Sequence, residues 1–101
     1  MTLEIAVAGD SKGPFPAQVE GICNTVADFS GLQQRVNRFL EAELKSLPKV
    51  VPENFRIRGL WFLWPKVPDY FIVDLRLEGD EFGLWKLEFE GKQATNLSRD
   101  D

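Results

Sequence analysis

The chain has no histidine and only one cysteine, Cys23. Without histidine it lacks the commonest general base, the commonest metal ligand and every Ser-His or Cys-His nucleophile arrangement. One cysteine excludes an internal disulfide and any cysteine-based zinc site. There is also no run of Lys or Arg of the kind that displaces counterions from nucleic acid, and 16 acidic against 12 basic residues leave a net charge of −4. The segment MTLEIAVAGDSK has neither the basic start nor the apolar centre of a secretory leader, and no stretch approaches the roughly 20 apolar residues of a membrane span. The expectation is a cytoplasmic protein with no nucleic-acid or membrane partner, no metal, no cofactor and no enzymatic activity. An acidic domain of this kind is drawn to basic partners.

What remains is ordinary globular material. The 101 residues suit one domain, and 44% hydrophobic with 28% charged content lies near the average for folded chains. Leu3, Ile5 and Val7 alternate with Glu4, Ala6 and Ala8, a short strand with one buried face. GDSKGP breaks it. In PAQVEGICNTVADF, residues Val19, Ile22, Cys23, Val26 and Phe29 recur at helical spacing, and Pro16 suits a first helical turn. On that stripe Cys23 reads as a small buried thiol. SGLQQRVNRFLEAELKSL carries a clearer stripe, Leu32, Val36, Phe39, Leu40, Leu44 and Leu47, with Glu41 and Lys45 as an i,i+4 pair and Pro48 as the stop. The two runs form either one kinked helix or two helices hinged near Asp28–Gly31.

After the linker PKVVPEN the period changes to that of strands, over Phe55–Trp64, Tyr70–Glu78 and Phe82–Glu90. PKVPD turns the chain between the first two, and Gly79-Asp80-Glu81 makes a three-residue loop between the last two. Pairing Trp64 with Tyr70 places Phe62 opposite Ile72 and Leu60 opposite Asp74, while Asp74 meets Lys86 on the third strand. The tail QATNLSRDD reads as polar and frayed. The odd-numbered apolar residues (Phe55, Ile57, Trp61, Leu63, Phe71, Val73, Leu75, Leu77, Trp85, Leu87 and Phe89) then share one face, which the helices must cover. The expected fold is α+β in two layers: a helical N-terminal half on one face of a mostly antiparallel sheet with a C-terminal three-stranded meander.

That register leaves Leu60, Phe62, Trp64, Tyr70 and Ile72 on the other face, clustered near PKVPD, with Arg58 and Arg76 beside them. Aromatics and arginine are the residue types enriched at interface hot spots, and a contiguous exposed apolar patch marks a binding surface. These seven residues are the candidate protein-binding site. The competing explanation is that the N-terminal segment, the 48–54 linker or the tail folds over the patch. Elsewhere the chemistry is thinner: Glu78, Asp80 and Glu81 lack calcium-loop spacing, and GDSKG lacks the spacing of either nucleotide fingerprint.

GPFPAQVEGICNTVADFSGLQQRV and FGLWKLEFEGKQATNLSRDD together resemble the opening and ending of small acidic bacterial proteins of uncharacterised domain families. Some of these accompany polymorphic or contact-dependent toxins as immunity proteins. The resemblance implies a non-catalytic module that neutralises a cognate toxin by occlusion, and it brings no catalytic residue with it. The alternative reading is a homodimeric structural or accessory protein, its apolar patch meeting a second copy about a two-fold axis.

Overall fold

A computed structural model describes residues 3–44, 51–64, 66–67 and 69–100, apart from the side chains of 51–54, 81, 82 and 100. Elements follow in the order β1 (Glu4–Val7), β2 (Gly9–Asp10), β3 (Gly13–Pro14), α1 (Pro16–Ala27), α2 (Phe29–Leu44), β4 (Val51–Phe62), β5 (Tyr70–Glu78), β6 (Asp80–Glu90) and β7 (Gln93–Asp100). The main sheet has the strand order β1-β4-β5-β6-β7, parallel between β1 and β4 and antiparallel elsewhere, and β2 and β3 make a small separate hairpin. Both helices lie on one face of the sheet. The fold is the expected two-layer α+β arrangement.

A single residue, Asp28, separates the helices, with non-helical φ −113° and ψ 43°. The chain therefore makes two helices rather than one kinked one. Asp28 serves both: its N–H donates to Asn24 O at the end of α1, and its carbonyl accepts from Leu32 N at the start of α2. Gly31 makes room for the corner, because a Cβ there would lie 2.5 Å from the Asp28 carboxylate. Along α2 the apolar stripe behaves as the spacing predicts, with Leu32, Val36, Leu40 and Leu44 all buried. The Glu41–Lys45 pair, Leu47, the stop at Pro48 and the first half of the expected linker lie outside the described residues. Its second half belongs to β4.

The other helix departs from expectation. Val19 and Val26 are exposed, and so is Cys23, which is a surface thiol and not a buried one. The residue of α1 that is fully buried is Gln18. Its Nε2 donates to the backbone oxygen of Trp64 at 2.9 Å, while Ile22 packs against the core. This rotation directs the Gln18–Ile22 side inward and leaves Val19, Cys23 and Val26 toward solvent. Similarly, Ile5 is exposed because β1 is an edge strand.

In the sheet, β4 holds the most consequential correction. Ile57 pairs with Leu75 and Gly59 with Asp74, so Arg58 is an extra residue in a bulge. One extra residue exchanges the faces of everything that follows. Leu60 and Phe62, expected outside, are core at 0% and 1% exposure. Trp61 turns to the open face, and Leu63, expected in the core, is 42% exposed just past the strand. The pairing is accordingly Trp61 with Ile72 and Leu60 with Val73, one residue away from the expected register.

Between β5 and β6 the expected Asp74–Lys86 pairing is present, but Leu77 pairs with Asp80. The loop is therefore Glu78–Gly79, with Gly79 at φ 93°, a value that favours glycine. The tail is not frayed. It forms β7, joined to β6 by the two-residue turn Gly91–Lys92 with Gly91 at φ 61°, so the meander gains a strand. The core consists of the α2 stripe together with Ile57, Leu60, Phe62, Phe71, Val73, Leu75, Leu77, Trp85, Leu87 and Phe89. Phe71 stacks on Phe62 at 4.7 Å and on Phe89 at 5.1 Å. Among the described residues, no helix is long and apolar enough to cross a membrane.

Candidate functional site on the open sheet face

Alternation along β5 places Tyr70, Ile72, Asp74 and Arg76 on the face away from the helices, each partly exposed between buried neighbours. Cross-strand pairing builds rows on this face. One runs Ala6, Trp61, Ile72, Glu88, Asn96, and the next runs Glu4, Gly59, Asp74, Lys86, Ser98. The N-terminal segment and the tail enter as edge strands β1 and β7. They widen the sheet and do not fold over it.

Of the seven residues singled out from the sequence, Trp64 and Tyr70 meet at the loop end, Ile72 shares their face, and Arg76 lies on that face toward the other end of β5. Leu60 and Phe62 do not lie on it, for the reason given by the Arg58 bulge, and Arg58 itself is exposed at that bulge. Trp61 takes the place of the two core residues. Its sequence signal was the dipeptide Arg58-Gly59, since an isolated glycine inside a strand pattern marks a bulge or a close approach. Both apply here. A Cβ on Gly59 would lie 3.3 Å from Trp61 Nε1, so the missing side chain lets the indole lie close to the sheet. Lys86 Nζ sits 5.0 Å from the centre of the Trp61 ring, within cation–π range.

At the loop end, Trp64 and Tyr70 meet edge to face at 4.8 Å. The backbone beneath them is pinned. Trp64 O accepts from Val67 N at 3.1 Å and from the Gln18 amide at 2.9 Å, and Tyr70 N donates to Val67 O. Prolines 65 and 68 of this loop lie outside the described residues. The Tyr70 hydroxyl donates to Glu88 Oε1, and Asn96 donates to the other oxygen of the same carboxylate at 2.8 Å. Burial and the neighbouring Glu88 push the Tyr70 phenol up to about 12, with Glu90 adding to the effect. The hydrogen bonds from Tyr70 and Asn96 hold Glu88 below its ordinary range. Arg76 donates to Asp74 at 2.8 Å, which orders its guanidinium on the surface opposite Arg56. The face thus has an aromatic end edged by Glu88 and Glu90, and a far end that carries arginines.

The β5–β6 hairpin is tied down by Asp80, which accepts from the Trp85 indole at 2.8 Å and from Arg99 at 2.6 and 3.0 Å. The Arg99 guanidinium holds the Asp80 carboxyl below its ordinary value against the opposing effect of burial, with the Trp85 bond adding to the lowering. Asp80 is therefore occupied as an anchor of the fold. Among the described residues there is no group of three or more Cys, Asp or Glu that could hold a metal ion. No family model matches the chain, and no curated protein or solved structure matches it.

Proposed function

We propose that the protein is a non-catalytic binding module that docks a basic protein partner on the open sheet face. The observation that carries this reading is the cluster of Trp61, Trp64, Tyr70 and Ile72 on a face that none of the described helices or strands covers. Trp and Tyr bring large apolar area with a polar edge, and here Trp61 packs against Lys86, Tyr70 bonds Glu88, and Trp64 packs on Tyr70, which reduces the ordering left for binding. Glu88 and Glu90 beside the aromatic end, together with the net charge of −4, favour a partner of positive potential. Neutralisation of a toxin by occlusion is the form of this reading that the family resemblance adds. A cytoplasmic setting accompanies it, because a reducing compartment keeps an exposed thiol such as Cys23 reduced.

The test is affinity capture from the native cell extract with wild-type protein and with Trp64→Ala. The reading expects a basic protein held by the wild type and lost by the variant. Recovery of the same proteins by both forms would remove this face as the site. Sedimentation at micromolar concentration distinguishes the homodimer alternative, for which a second copy of the chain would occupy the face.

A further inference from the structure

A second site lies on the helix side of the molecule and is independent of the open face. Where the α1–α2 corner meets the start of β5 and the β6–β7 turn, there is a cleft of about 490 Å³. That volume is in the range of small-molecule pockets. Phe62 and Phe71, a stacked pair, contribute its apolar floor, and its charged lining consists of Arg35, Lys92, Asp28 and Asp69. Arg35 is held only loosely. Its Nη1 lies 3.4 Å from Asp28, and its Nε is buried with no hydrogen-bond partner. A donor removed from water without an acceptor is an unfavourable state that a ligand acceptor relieves. Among the described residues Lys92 and Asp69 have no side-chain partner, and although both line the cleft they do not pair with each other.

We infer that this cleft binds a small zwitterion with a flat apolar body, the chemistry of an aromatic amino acid. The guanidinium of Arg35 offers a carboxylate a planar fork, and Lys92 adds a second positive charge from the turn. Asp28 and Asp69 receive the ammonium group. The ring lies over the base of the cleft, which Phe62 and Phe71 close from beneath at 1% and 4% exposure. Two cations and two carboxylates in one lining disfavour a ligand of either single sign and suit one that carries both.

Three probes of matched body separate these chemistries: L-phenylalanine, 3-phenylpropionate and phenethylamine, each titrated into the full chain while backbone amide resonances are followed. The expected result is saturable movement of the Asn24, Thr25, Gly91 and Lys92 amides with phenylalanine, at least about tenfold tighter than with either singly charged probe. Arg35→Gln and, independently, Lys92→Gln each weaken phenylalanine about tenfold. Lys92 lies in an exposed turn, so its variant stays informative if the Arg35 variant perturbs the helix corner. Equal response to phenylalanine and 3-phenylpropionate, absence of saturation with phenylalanine, or unchanged binding in both variants would overturn the assignment.

Discussion

The two faces of the one sheet are built from similar residues and held in different ways. On the helix side Leu60, Phe62, Val73, Leu75, Leu87 and Phe89 are enclosed by the stripe of α2, and none is more than 1% exposed. On the open side none of the described helices lies over Trp61, Trp64, Tyr70 and Ile72, and the three aromatic side chains are instead held by polar or aromatic neighbours in the plane. Burial stabilises the first face and local pairing orders the second. The difference teaches that an aromatic surface can be rigid without being core, and that rigidity suits an anchor awaiting a partner.

The sharpest contrast is between adjacent residues. Phe62→Ala removes a fully buried ring that stacks on Phe71 and should cost about 3–5 kcal/mol in denaturant unfolding. Trp61→Ala, one residue earlier, should cost about 1 kcal/mol, since it loses a cation–π contact and partial cover but leaves no cavity. Equal losses would erase the distinction between the faces.

Acid separates the faces less strongly. Asp80 and Glu88 both titrate below their ordinary values, so the stability they contribute is present above the usual carboxylate range and is lost as pH falls through the lowered pKa of the folded state. Asp80 anchors the core indole of Trp85, whereas Glu88 orders only surface groups. Asp80→Asn should therefore flatten the acid limb of the melting-temperature profile more than Glu88→Gln does. The reverse order would place the more important carboxylate on the open face.

The smallest effect is spectroscopic. Tyr70 is the only tyrosine, so phenolate absorbance reports it alone. Its midpoint should lie near 12 and move down in Glu88→Gln. The neutral phenol contributes stability below its ordinary pKa of about 10, and that contribution is lost as pH rises through the raised value. An ordinary midpoint in the wild type would mean that the Tyr70–Glu88 bond is absent.

Much of this architecture was legible in the sequence, and the parts that were not share a cause. Hydrophobic period located α2, β5 and β6, and the Asp74–Lys86 charge pair predicted their register. Period cannot count an extra residue within a strand, so the face of Leu60, Trp61 and Phe62 depended on reading Arg58-Gly59 as a bulge. Polar composition hid β7, because Gln93, Asn96 and Ser98 pair through their backbone at the sheet edge, with Ala94 and Leu97 packed against the core. Helical spacing placed Val19, Cys23 and Val26 inward. The structure turns them out so that the Gln18 amide can hold Trp64, a contact 46 residues distant that no local pattern carries.

The central claim is that the Arg58 bulge puts Trp61 on the open face, that Trp64, just past the strand, joins it by packing on Tyr70, and that Trp85 remains in the core. Acrylamide quenching of three variants, each retaining one of these tryptophans with the other two replaced by phenylalanine, tests it directly. The account predicts ready quenching for Trp61 and Trp64 and strong shielding for Trp85, which is 7% exposed. Shielding of Trp61 equal to that of Trp85 would contradict it, returning Trp61 to the core and Phe62 to the surface.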